Sequence, residues 1–98
     1  MSTPIKAAGI CWFTPENYPR VLAVMADCHV LPANFHKWLK QAESAEQRFT
    51  AQGWRVHRID CDPDAFLAWC TARNIDASAQ ARLTFGSDGV GRLYGKMR

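Results

Sequence analysis

Four tryptophans stand in this chain of 98 residues, and each falls on the apolar side of a stretch that reads as a strand or a helix. Trp12 lies in the run from Ala8 to Phe13. Trp38 lies on the stripe Phe35, Trp38, Leu39, Ala42. Trp54 opens the run to Ile59, and Trp69 joins Phe66, Leu67 and Cys70. Large rings supply much of the burial a small domain needs. A chain of this length reads as one domain, residues 1–98. It buries roughly 60–70% of its unfolded surface, enough for one core without disulfide staples. The rings are therefore expected to be interior filler, shared by short strands and the helices stacked on them.

Ser2 to Lys6 reads as a loose arm. The run 8–13 is short and apolar on both faces, as in a buried strand. Thr14 is a candidate N-cap with Pro15 at the first helical position. Pro19 is compatible with a helix only in the first turn, whose amides lack partners anyway. Val21, Leu22, Val24 and Met25 then form the packing side of a first helix ending near Cys28. Asn34 is placed to cap the next helix. Phe35, Trp38, Leu39, Ala42, Ala45 and Phe49 recur at steps of three and four on one face of it. Gly53 is placed to end it in a left-handed conformation. Residues 54–59 read as a second strand, with Trp54 and Val56 on one face and Ile59 on the other. Asp62-Pro63 starts a third helix carrying Phe66, Leu67, Trp69 and Cys70, with Asn74 as its stop.

The last segment supports two readings. As a helix from Asp76 or Ser78 it puts Ala79, Leu83, Gly86, Val90, Leu93 or Tyr94, and Met97 on one side, with fraying after Gly86. As a hairpin, Arg82–Phe85 and Val90–Tyr94 flank the turn Gly86-Ser87-Asp88-Gly89. Glycine in a helix costs about 1 kcal/mol relative to alanine. The helix is the favoured reading. The expected fold is α+β and predominantly helical, in the order strand-helix-helix-strand-helix-helix. Two helices between the strands return the chain to the end it left, so the pair is expected to be antiparallel. A two-stranded sheet is marginal alone. Either the last segment adds strands or a second chain extends an edge.

The net charge is +3, from twelve basic and nine acidic residues, and no basic block stands out. That excess serves solubility and does not by itself call for nucleic acid. Met1 to Ala8 lacks the apolar core of a signal peptide. Cys11, Cys28, Cys61 and Cys70 are thus expected to be reduced, in a bacterial-type cytoplasm. No apolar run approaches the roughly 20 residues that span a bilayer, so no membrane association is expected.

Four constellations carry some chemistry. Asp60-Cys61-Asp62-Pro63-Asp64 resembles the D-x-D nucleophile loop of haloacid-dehalogenase-type phosphatases, whose carboxylates hold a hard cation. That resemblance spans five residues, and it implies a long parallel sheet that this chain has no room for. Capping explains the same carboxylates: Asp62 as N-cap, Asp64 in the first turn, Asp60 solvated. Cys61 also has His57 four residues upstream on the same strand face, but roughly 13 Å away at strand rise. Cys28, His29, His36 and Cys61 lack zinc-ligand spacing. No cofactor is expected: Gly86, Gly89 and Gly91 do not form a phosphate-binding G-x-G-x-x-G. Arg55 and Arg58 beside Trp54, with Lys37 and Lys40 on the long helix, are candidate nucleic-acid or anion contacts.

Trp12 with Pro15-Glu16-Asn17-Tyr18, Leu31-Pro32 before Phe35 and Trp38, then Asp62-Pro63-Asp64-Ala65-Phe66 and Trp69-Cys70 together look like a group of small uncharacterised bacterial proteins of about this length. The resemblance implies a continuous alanine-rich last helix, from which Gly86, Gly89 and Gly91 depart. It implies no activity. The function expected from these residues is that of a non-enzymatic interaction or accessory protein, acting as a homo-oligomer or on a protein partner. The contact surface is expected at an exposed strand edge or at the glycine-interrupted last segment. The alternatives are a small nucleic-acid-associated regulator and a small enzyme using Asp60, Cys61 and Asp62.

Overall fold

In the computed structural model, which describes residues 6–96, the chain runs β1 (Ala7–Trp12), α1 (Tyr18–Val24), α2 (Phe35–Ala51), β2 (Arg55–Asp60), α3 (Pro63–Ala72) and α4 (Ala79–Lys96). A short 3-10 turn, Cys28–Val30, lies between α1 and α2. The loose arm expected at 1–6 and the helical position expected for Met97 fall largely outside the described residues.

The strands pair parallel, from Ala7 opposite Arg55 to Trp12 opposite Asp60. This corrects the antiparallel expectation, and helix length explains why. A helix rises about 1.5 Å per residue, so the 7 residues of α1 cover only about half the length of β1. Helix α1 packs chiefly against α3. Only α2, with 17 residues, is long enough to carry the chain back past the sheet. One effective crossover makes the strands parallel, as in a βαβ unit.

Local signals position these elements. Helix α1 starts three residues later than Pro15 suggests, because Thr14 and Asn17 close a turn instead. The Thr14 N–H donates to Asn17 Oδ1 at 2.9 Å and the Asn17 N–H to Thr14 Oγ1 at 3.1 Å. Pro19 falls in the first helical turn. Asn34 Oδ1 accepts from the Lys37 N–H at 2.9 Å, and Asp62 Oδ2 from the Ala65 N–H at 2.9 Å. Gly53 follows α2 at φ +91°, and Asn74 follows α3 at φ +56°.

Helix α4 runs unbroken through its glycines, so the hairpin alternative is overturned. Gly86 lies against the backbone of Gly9 in β1, where a Cβ on either residue would overlap the other's carbonyl group. A Cβ on Gly89 would come within 2.6 Å of Ile59 Cγ2. The glycines let the helix touch the sheet closely, and packing offsets their poor helix propensity. The buried face of α4 is Ala81, Phe85, Gly86, Gly89 and Val90. Leu83, expected on that face, is 64% exposed: the close-contact glycines rotate the helix so that Leu83 points to solvent.

Two aromatic clusters flank the sheet. On the α2 side Trp38 meets Trp12, Phe13, Tyr18 and Phe35, with ring centroids 4.9–6.1 Å apart. On the α4 side Phe66, Trp69 and Phe85 form a second group, with centroids 5.3–6.1 Å apart. Of the tryptophans Trp38 is buried, while Trp12, Trp54 and Trp69 are half-buried. Cations cover the open ring faces: Arg58 over Trp12 at 3.9 Å, Arg73 over Trp69 at 4.2 Å and Lys6 over Trp54 at 5.8 Å. Such contacts stabilise by about 0.5–1 kcal/mol at exposed sites.

One ion pair ties α4 to the loop after α1. Arg82 donates from Nη1 and Nη2 to the two carboxylate oxygens of Asp27, both at 2.8 Å. These bonds hold the Asp27 carboxyl below its usual pKa. A carboxylate whose pKa is depressed by folding adds stability that is fully present above its unfolded value, near 4, and is lost as pH falls through the folded value. Thermal unfolding should therefore give a Tm that drops below about pH 4. In Asp27→Asn that acid limb should flatten, with about 2 kcal/mol lost at neutral pH, as for a hydrogen bond to a charged group.

Candidate functional site

The outer edge of β2 is the surface that the fold leaves unfinished. The Arg55 N–H donates to the Lys6 carbonyl at 2.8 Å and the Cys61 N–H to the Trp12 carbonyl at 3.2 Å. With the two-residue repeat of a parallel ladder, the odd positions of β2 turn their backbone groups toward β1. Val56, Arg58 and Asp60 turn theirs outward. Among the described residues nothing bonds to those outward groups.

Helix α4 packs against the other strand. On β1 the outward backbone positions are Ala7, Gly9 and Cys11, and the Gly9 carbonyl lies against Gly86 of α4. Cys11 Sγ donates to the Arg82 carbonyl of the same helix at 3.2 Å.

Two shallow grooves flank the open edge. One, of about 440 Å³, lies between Val56 and the α2 residues Glu46, Gln47, Thr50 and Ala51. The other, of about 250 Å³, lies between Arg58, Ile59, Asp60 and the α4 residues Gly89, Arg92 and Leu93. The side chains of β2 alternate between them. Val56 and Arg58 face α2, whereas His57 and Ile59 face α4, where His57 Nε2 and the Tyr94 hydroxyl are 2.9 Å apart. Leu93, 42% exposed, stands beside the edge on the α4 side.

Arg58 does not guard this edge. Its Nε and Nη2 donate to the Glu46 carboxylate at 2.8 and 2.9 Å, and its guanidinium lies over the Trp12 ring. The same hydrogen bonds hold the Glu46 carboxyl below its usual pKa. The cation is folded back onto the α2 face, away from the outward backbone groups. Asp60 is exposed and makes no ion pair among the described residues.

The four basic residues singled out in the sequence do not gather. Arg55 shares the α4 face of β2 with His57, and Arg58 lies on the α2 face. Lys37 and Lys40 are exposed, and helical spacing sets them away from the buried side of α2 formed by Trp38 and Ala42. Asp60, Cys61 and Asp62 do not converge either. Asp62 is committed to its cap, and Asp64 pairs with Arg20 at 2.9 Å. Cys61 is 1% exposed. The hydrogen bond it shares with Cys11, and then burial, push its thiol pKa up, away from nucleophilic thiolate. All four cysteines are free thiols, with Cys28 exposed and the others buried. Among the described residues no cluster of three His, Cys, Asp or Glu side chains is placed to hold a metal, and no helix is long and apolar enough to cross a membrane.

The sequence pointed to a strand edge but not to which one. The signal was present in the imperfect alternation Arg55-Val56-His57-Arg58, polar on both faces, against the unbroken apolar run of β1. Compared with known families, characterised proteins and solved structures, the chain has no match.

Proposed function

We propose that this chain is a non-enzymatic interaction protein that binds a protein partner by strand addition at the outer edge of β2. The observation that carries the reading is the open edge of β2: three residues with outward N–H and C=O groups, lying between two grooves on alternate faces. A strand added there satisfies backbone groups that otherwise bind water, and its side chains drop alternately toward α2 and α4. Phosphate binding is less well supported, because Arg58 is already engaged by Glu46 and the remaining cations sit on separate surfaces.

A photo-reactive phenylalanine analogue at Arg92, used in the cell, tests the reading. The expected result is one discrete adduct that disappears when Asp60→Pro removes an outward N–H. Pairing with β1 does not use that N–H, so the substitution spares the ladder. Adducts of equal yield with and without Asp60→Pro would overturn strand addition.

A further inference from the structure

Independently of any strand added to β2, we infer that Cys11 and Cys61 form a buried dithiol that hydrogen peroxide closes into a reversible disulfide, a redox-sensitive link between β1 and the start of α3.

The sheet brings the two thiols together. Cys11 pairs with Ile59 across the ladder, and Cys61 comes two residues after Ile59. Side chains two apart along a strand share a face, so both thiols lie on the α4 side. The Cys61 N–H donates to the Trp12 carbonyl at 3.2 Å, which holds Cys61 against the end of β1. Both are free thiols, and they share a hydrogen bond. Cys11 Sγ donates in turn to the Arg82 carbonyl at 3.2 Å.

The two are chemically unequal. The hydrogen bond from Cys61 lowers the Cys11 thiol pKa; burial opposes this, while the Arg82 charge and the Gly86 backbone assist it. The same bond, and then burial, raise the pKa of Cys61. Cys11 is therefore the thiol that ionises and attacks, and Cys61 keeps its proton until the second step. Cys11 is 8% exposed and Cys61 1%, so a small oxidant meets Cys11 first.

The Cys11 thiolate attacks one oxygen of peroxide. An S–O bond forms, the O–O bond breaks, and the departing hydroxide takes up the proton that Cys11 released. The Cys61 sulfur then displaces the hydroxyl group. The S–S bond forms, the S–O bond breaks, and the hydroxide leaves as water with the Cys61 proton. Two thiols and one peroxide give one disulfide and two waters; the sulfurs are oxidised and the peroxide oxygens reduced.

At ideal strand spacing, positions offset by two residues on paired strands have Cα atoms about 8 Å apart, beyond the relaxed span of a disulfide. Cys61 follows Asp60, the last paired residue of β2, so the link into α3 takes up the shift and the ladder is kept. A disulfide closed against such resistance is readily reduced, which lets a thiol such as glutathione reopen it.

Peptide mapping by mass spectrometry after peroxide treatment tests the pairing. Cys28→Ser is the background, because Cys28 is exposed and would otherwise cross-link chains. With circular dichroism showing the native fold, this chain should lose two hydrogens and yield a linked Cys11–Cys61 peptide pair. Cys70 should remain open to alkylation after unfolding, and reduced glutathione should restore both thiols. In the same background, Cys61→Ser should stop at a Cys11 sulfenic acid, trapped by dimedone, whereas Cys11→Ser should leave Cys61 unoxidised. A folded Cys28→Ser chain that gives no linked pair, a link through Cys70 instead, or equal oxidation of Cys61 with and without Cys11 would overturn the inference. The mapping of Cys28→Ser needs no substitution in the core, so it decides the matter even if the buried variants fail to fold.

Discussion

Gly9→Ala should destabilise the chain by about 3 kcal/mol, the upper range for forcing an extra carbon into a packed core. That is a large part of the 5–15 kcal/mol typical of a native domain. The added Cβ meets the Gly86 carbonyl, which is helix backbone and cannot swing aside as a flexible side chain can. Gly86→Ala faces the same clash from the other side. It also gains about 1 kcal/mol of helix propensity, so a smaller loss of about 2 kcal/mol is expected. Gly91 supplies the control within the same helix, because a Cβ there meets nothing. Gly91→Ala should stabilise by about 1 kcal/mol. Urea midpoints of the three variants read the contrast directly. If Gly86→Ala stabilised as much as Gly91→Ala, α4 would not lie against β1.

Trp38→Ala should cost about 4 kcal/mol, the middle of the range for removing a buried aromatic ring. The indole is 7% exposed and is the shared contact of four other rings on β1, α1, α2 and the turn between them. Its loss opens the α2 face of the sheet at the point where the crossover helix is held. Trp54→Ala should cost much less, since among the described residues that half-buried ring has only Phe49 as an aromatic neighbour, at 5.9 Å. Thermal melts of the two variants, compared with the wild type, should differ severalfold in their shifts. Equal shifts would mean that the core is not centred on Trp38.

The helices were legible because their signals are local. The Asn34 cap, the apolar stripe from Phe35 to Phe49, Gly53 and the Asp62-Pro63 start lie within a few residues of the structure they determine. Strand direction was not legible, because it depends on how far each intervening helix carries the chain, and the late start of α1 at Tyr18 decided that. The glycines of α4 were misleading for a related reason. Read alone, Gly86 and Gly89 count against a helix, yet their partners, Gly9 and Ile59, are distant in sequence and appear only once the chain is folded. Among the candidate site residues, Asp62 as N-cap and Asp64 in the first helical turn were legible for the same local reason. Arg55, Arg58, Lys37 and Lys40 were grouped by charge, and charge in a sequence carries no information about which face each side chain takes.

The parallel ladder has a consequence for how the molecule forms. Ala7 pairs with Arg55, 48 positions along the chain, so no part of the sheet can assemble before that whole stretch has been drawn into a loop. Loop closure of this kind is an entropic toll met before any pairing repays it. Helices α2 and α4, by contrast, need only their neighbours. After dilution from denaturant, helical circular dichroism should rise first, and burial of Trp38 against Trp12 should follow in a separate, slower approach to the native fluorescence.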